Sequence, residues 1–356
     1  MGKGAAIDVL VVGAGVYGLA AALALARAGR SVRVLDRLSP GSGASGGPVG
    51  ALAPHAPDGW SERKALQRDA LVAAEAYWRS VARESGLDPG YARPGRLMPL
   101  RTQAERARAE VRRAAAEAHW HSGSWRILSP EAAAAWLAPE ACPAGAVFET
   151  LTARLAPQRA VAALAAAVAA RGGELEAPAE VVAVEADGVV LADGRRLQAA
   201  LVVVAAGSES DALLPGRVEG VKGQALVLEA SRVSDLPVIG DRGLWIVPHA
   251  DGTAAVGSTS ERAWTALGPD ERGDALLEKA RALCPRLADA PVVERWAGIR
   301  PRAAAGEPVV GWVAPGVLLA SGGYKTGFAT APVVADLVAR LASGEAAGRP
   351  AGIGAP

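Results

Sequence analysis

The stretch DVLVVGAGVYGLAAALALARAGRSVRVLD, residues 8–36, decides the fold. It opens on a short β-branched apolar run, as a buried parallel strand does. Gly13, Gly15 and Gly18 follow at once in the spacing G-x-G-x-x-G. An apolar helical run then reaches a glycine stop at Gly29, and a second short strand closes on Asp36. Strand, turn, helix, strand and acid together turn a weak motif into a dinucleotide-binding fingerprint. Gly13 admits the tight turn, Gly15 lets backbone approach a pyrophosphate, and Gly18 lets the helix pack close to the strand. The helix N-terminus presents N–H groups and positive dipole to phosphate oxygens. Asp36 stands where an acid accepts ribose hydroxyls.

A second G-x-G-x-x-G match, GSGASG at residues 41–46, fails this context test. The turn sequence RLSP precedes it, and Gly47-Pro48 interrupts any helix after it. A loop of this composition instead lays backbone N–H groups and the Ser45 hydroxyl against a ligand. The VGALAPH that follows reads as extended chain passing the same ligand.

The composition is compatible with two domains or one large two-lobed unit, because 51% of the 356 residues are hydrophobic. The net charge of +1, with basic residues scattered, speaks against a nucleic-acid footprint. Cys142 and Cys284 stand alone, so neither a disulfide scaffold nor a thiolate metal site is expected. His119 and His121 flank Trp120 and read as a polar strand end or loop; with only His55 and His249 elsewhere, no metal site is expected. The apolar run 9–26 is broken by the three glycines, follows Asp8 and has no cationic region before it. It reads as strand, turn and helix rather than a membrane span, and the cytoplasm is the expected compartment.

Further along, SERKALQRDALVAAEAYWRSVARESG and TQAERARAEVRRAAAEAH are helical, and the second is a solvated, charged face. A strand ending ALVVVAAG, residues 200–207, returns to the first sheet and brings Ala206 and Gly207 beside the dinucleotide. Residues 221–264 alternate as β structure, and GDALLEKARALCPRLADA, residues 273–290, is helical. The final VLLASGGYKTGFATAPVVADLVARLASG repeats the order strand, glycine loop, helix, so a second helix N-terminus faces a ligand.

These pieces, with VKGQALVL, LWIVPHADGTAAVGST and ERWAGIRPRAAAGEPVVGW in the same order, resemble the FAD-dependent D-amino-acid oxidase superfamily, in its glycine oxidase and sarcosine oxidase-like branch. The resemblance spans nearly the whole chain and is weakest over residues 60–145. It implies an α/β fold: a Rossmann-like FAD-binding domain with a parallel sheet (residues 1–60, 145–215 and 297–356), plus an α+β substrate domain with a mainly antiparallel sheet (61–144 and 216–296). One FAD then uses both glycine motifs.

By resemblance, Val16 and Tyr17 sit with Gly13, Gly15 and Gly18 at the pyrophosphate turn, and Asp36 and Arg37 at the adenosine ribose. Ala44 and Ser45 lie along the phosphate and ribityl region, Val49, Gly50 and Ala51 by the flavin ring, and Val181 at the adenine. Gly323, Tyr324, Lys325, Thr326, Gly327, Phe328 and Ala329 surround the flavin pyrimidine. The FAD is expected to be non-covalent, since neither cysteine falls in that loop.

Arg300 matches the arginine that holds a substrate carboxylate, a task suited to the guanidinium fork. Tyr324 and Lys325 stand where glycine oxidases have an aromatic residue and an arginine. Trp245 stands where a tyrosine often closes the pocket, so that hydroxyl's bond to substrate is lost. His55 lies just past the flavin loop and faces either pocket, core or surface. The implied reaction is oxidation of an amine bearing a carboxylate, an amino acid or N-substituted glycine. Hydride passes to flavin N5, leaving an imine that water hydrolyses, with oxygen or a quinone-type carrier as acceptor. The alternatives are oxidation of a carboxymethylamino group, as in bifunctional tRNA-modifying enzymes, a non-catalytic FAD-binding protein, and a nicotinamide dehydrogenase.

Overall fold

The computed structural model describes residues 7–304, 308–345 and 348–356; residues 305–307 of the stretch 294–312 quoted above lie outside the described residues. Two large sheets organise the chain. The first has six strands in the spatial order Val309–Ala314, Val317–Ser321, Leu201–Val204, Val9–Val12, Val32–Leu35, Glu174–Glu176. All its pairings are parallel except that of Val309–Ala314 with Val317–Ser321. Val9–Val12 and Leu201–Val204 are buried at every position, which explains their unbroken apolar sequences. The helices Val16–Arg27, Pro157–Ala170 and Gly327–Ala342 contribute Leu19, Leu23, Leu164, Val334 and Leu337 to the core on one face of this sheet. Ala20, Ala21 and Ala22 let helix approach helix closely.

The second sheet has eight strands in the order Val292–Ala303, Val218–Glu229, Thr253–Gly257, Leu244–Pro248, Val238–Asp241, Arg96–Pro99, Ala146–Glu149, Trp125–Leu128. It is antiparallel apart from the pairing of Val238–Asp241 with Arg96–Pro99. The two expected domain boundaries fall differently on these sheets. Ala146–Glu149 lies after the boundary at 145 but pairs in the eight-stranded sheet, and Val292–Ala303 runs through the boundary at 297.

Alternation sorts the second sheet into two faces. Leu226, Val256, Ile246 and Ile239 lie in one cross-strand row under helix Glu271–Leu283. The neighbouring row, Trp296, Ala225, Gly257, Trp245 and Gly240, lies on the opposite face. On that face Val238, Val247 and Ala255 pack with Trp245 and with Val49 and Ala51 of the glycine-rich loop. The two sheets therefore meet across residues 47–51.

Two local expectations are refined. Of the segment expected as a strand end or loop, His119 instead ends helix Gln103–His119 and stacks on Trp60 at 4.3 Å, while Trp120 and His121 lie in the turn that follows. The helix expected over 273–290 spans Glu271–Leu283, and Cys284 falls at its C-cap because Pro285 cannot continue it.

Candidate active site

The site is built where the two sheets face each other. Gly13 has φ +106°, and a Cβ there would lie 2.5 Å from the carbonyl oxygen of Ala205. A Cβ on Gly18 would fall 1.9 Å from the Gly13 carbonyl oxygen, so the turn and the helix close only with glycine at both places. At Gly15 the nearest atom to a built Cβ is Ser45 Oγ at 3.3 Å, leaving the front of the helix N-terminus open to a diphosphate. No side chain at Gly15 caps that helix. The Val16 N–H donates to Ser45 Oγ at 3.0 Å, so the second glycine loop sits directly on the first and supplies an oxygen where a phosphate oxygen would accept.

Asp36 follows strand Val32–Leu35, with its carboxylate accepting from the Ala14 N–H at 2.7 Å and the Leu38 N–H at 3.0 Å. Sequence reasoning missed this turn-bracing role beside the expected ribose contact. Arg37 reaches Glu209 across the surface at 3.5 Å, next to Gly207. The segment carrying Val181 adjoins Asp36, because Ala179 N–H donates to the Asp36 carbonyl. Gly50 has φ +63° and its carbonyl accepts from Leu155 N–H at 3.0 Å. Val49 lies over Gly257, where a Cβ would come within 2.5 Å of its Cγ2, and Gly47 lies against the Trp296 indole.

The C-terminal glycine loop meets the same place. Gly323 packs against the Tyr17 ring, where a Cβ would be 2.8 Å from the phenol oxygen. Gly327 begins helix Gly327–Ala342 beside Val16. Two helix N-termini therefore converge, and no side chain caps the second, where Thr326 instead donates to the Gly323 carbonyl. Phe328 and Ala329 turn inward onto the core. The donor set, the open face at Gly15 and the Gly–Ser loop together suit a dinucleotide carrying a ring system toward the second sheet.

On the sheet face turned toward residues 47–51, Arg300 stands on strand Val292–Ala303, 9% exposed. Its guanidinium lies flat on Gly223, where a Cβ would be 1.9 Å from Nη1. Nη1 donates to the Thr259 carbonyl at 3.1 Å, and among the described residues no carboxylate is within ion-pair distance of it. Burial lowers its pKa, opposed by Tyr324 and Glu261. Tyr324 has φ +43°, donates its N–H to the Pro301 carbonyl, and donates its phenol to Ser260 Oγ at 3.4 Å. Lys325 is an exposed side chain whose Nζ is 5.5 Å from the Tyr324 ring centroid. Its ammonium is held below the ordinary lysine value by the surrounding protein and by Arg300, with Tyr324 opposing.

Trp245 forms a wall beside Val49 and Ala51, with the Arg96 guanidinium over its ring at 5.4 Å. Arg96 in turn pairs with the fully buried Glu149 at 2.9 Å. That ion pair was not anticipated, because nothing in the local sequence marks either residue. His55 is tied to Gln67, its N–H donating to Oε1 at 2.8 Å.

Fold and site together define a flavin-binding oxidoreductase. The sequence model of the FAD dependent oxidoreductase family matches residues 8–341, and the chain belongs to that family, whose cofactor is FAD. It is 29% identical to the bifunctional protein ThiO/ThiG of Trichormus variabilis over 92% of this chain and 51% of that protein. It is 31% identical to the glycine oxidase of Geobacillus kaustophilus over 92% and 90% of the two chains. The chain thus spans about half the length of the bifunctional relative and most of the glycine oxidase. The crystal structure of the latter superimposes with a TM-score of 0.85 at 27% identity, covering 96% of this chain and 95% of that one.

Proposed function

We propose that this chain catalyses the FAD-dependent oxidation of an amine bearing a carboxylate, an amino acid or N-substituted glycine. The observation that carries the reading is Arg300: a buried cation on the sheet face turned toward residues 47–51, with no carboxylate partner among the described residues. A buried guanidinium without a counter-ion is costly, and a substrate carboxylate would supply the missing partner through the bidentate fork.

Arg300 would fix the carboxylate, with Lys325 adding a second positive charge from the pocket mouth. Tyr324 and Trp245 would wall the chamber and fix which carbon faces the ring. When bound, FAD supplies the hydride acceptor. The amine must be neutral to release hydride, and the resulting imine is hydrolysed by water. Positioning and the field of the two helix N-termini carry most of the rate enhancement. Dioxygen or a quinone-type carrier is the proposed acceptor.

We assign FAD to the parallel-sheet part, residues 1–60, 145–215 and 297–356, and substrate enclosure to 61–144 and 216–296, the latter sharing strands Ala146–Glu149 and Val292–Ala303. Both cysteines are buried free thiols, which supports non-covalent FAD and a reducing compartment such as the cytoplasm. Among the described residues, no helix is long and apolar enough to cross a membrane.

Acetate titrated into the protein, followed by the flavin absorbance shift, tests the anchor. Arg300→Ala should keep its FAD and weaken acetate by about 2–5 kcal/mol, as truncation of a buried charge pair does. Wild-type acetate affinity in that variant would make Arg300 structural. Acid precipitation should release all the yellow colour; colour kept in the pellet would refute non-covalent binding.

A further inference from the structure

Arg300 is aimed by very little. Of its five N–H donors, one makes a hydrogen bond among the described residues, to the carbonyl of Thr259, and the rest of the guanidinium rests on Gly223. Thr259 itself is held from three sides. Its N–H donates to the Gln224 carbonyl at 3.3 Å, and its Oγ1 accepts from the Gln224 N–H at 2.9 Å. The same hydroxyl donates to Glu261 Oε1 in a short bond.

Glu261 belongs to a lattice on the far face of strand Val218–Glu229. Lys222 and Gln224 alternate with Gly223 and so project away from Arg300. Lys222 is 1% exposed, with Nζ 3.2 Å from Asp270 Oδ2 and 3.6 Å from Glu261 Oε2. The Gln224 amide donates to Glu261 at 2.9 Å and to Asp270 at 2.6 Å, and its carbonyl accepts from the Asp270 N–H at 2.8 Å. Arg272 Nη1 closes the set on Glu261 Oε2 at 2.5 Å. The main chains of Lys222 and Glu261 exchange two further bonds at 2.9 Å. Every polar end is engaged, and an interlocked network of this kind is rigid. The Thr259 hydroxyl, bonded to both Gln224 and Glu261, is the side-chain link from this network to the carbonyl that holds Arg300, beside the main-chain bond from the Thr259 N–H to the Gln224 carbonyl.

We propose that Thr259 is a positioning residue for substrate recognition: its carbonyl aims the Arg300 guanidinium, and its hydroxyl locks that carbonyl to the buried lattice of Lys222, Gln224, Glu261 and Asp270. The inference rests on the reading of Arg300 as carboxylate anchor. A fork meets a carboxylate with both prongs only in one orientation. The lattice fixes that orientation before substrate arrives.

Thr259→Val keeps the side-chain volume and the backbone carbonyl, removes the hydroxyl, and leaves the Lys222–Glu261–Asp270 pairs in place. Acetate should bind it about tenfold more weakly, the equivalent of one hydrogen bond, whether followed by flavin absorbance or by calorimetry. FAD affinity should stay near wild type, the thermal midpoint should fall because the Gln224 N–H and Glu261 lose a partner, and Thr259→Ser, which restores the hydroxyl, should recover the acetate affinity. Unchanged acetate binding in Thr259→Val would overturn the proposal. So would loss of FAD from that variant, since the lattice would then hold the fold rather than the arginine. So would failure of Thr259→Ser to recover. Arg300→Ala measured alongside separates the two readings: weak acetate binding there with wild-type binding in Thr259→Val sinks only the positioning role, whereas wild-type binding in Arg300→Ala sinks the anchor itself.

Discussion

The phenol oxygen of Tyr17 lies 2.7 Å from the Thr330 hydroxyl, and both are buried. Thr330 donates its own proton to the Thr326 carbonyl at 2.9 Å, so Tyr17 is the donor to Thr330. This one bond ties the first turn of helix Val16–Arg27 to the start of helix Gly327–Ala342, elements from opposite ends of the sequence. It holds the two helix N-termini side by side over the dinucleotide site.

Tyr17→Phe removes that bond while leaving Thr330 its bond to Thr326. Unfolding free energy should fall by about 0.5–1.5 kcal/mol, the net value of a neutral hydrogen bond. The urea midpoint of the FAD-loaded protein measures it, and an unshifted midpoint would show that the bond does not link the helices.

Asp36 braces the glycine turn through Ala14 and Leu38, and it is the proposed acceptor of the ribose hydroxyls. Each charge-assisted bond contributes roughly 1.5–3 kcal/mol. Asp36→Ala should therefore purify largely free of FAD, with the flavin-to-protein absorbance ratio as readout. A variant holding FAD as tightly as wild type would remove Asp36 from the cofactor site.

Lys325 is depressed below the ordinary lysine value. It loses its charge as pH rises through that lowered value. Acetate binding should weaken over this step, earlier than an ordinary lysine would give, and the step should vanish in Lys325→Ala. A step of equal size at the same pH in Lys325→Ala would assign the titration to another group. At neutral pH, Lys325→Ala should weaken acetate less than Arg300→Ala does, because Lys325 is exposed and screened.

How much of this was legible beforehand follows from where each signal lives. Strand, glycine turn, helix and strand over residues 8–36 are local in sequence, and their geometry is fixed by sterics within a few residues, so the motif declares itself. The rejection of residues 41–46 as a second fingerprint rested on the same local rules. The structure places that loop against Val16 through Ser45, a contact between two recognisable motifs. The roles proposed for Arg300, Tyr324 and Lys325 come from resemblance rather than from any local signal in the sequence.

The sequence by itself determined the parallel-sheet nucleus, the positions of both glycine loops and the strand alternation of the second half. Only the tertiary structure decided what faces what. Trp296 and Trp245 are far apart in the chain, yet they share one cross-strand row with Ala225, Gly257 and Gly240, because antiparallel register sets which side chains are neighbours. Pairing likewise brings Arg96 to Glu149, and Thr259 to Arg300. Such contacts carry no local periodicity. They depend on register and sheet order, which are fixed by the summed burial of both faces rather than by any single segment.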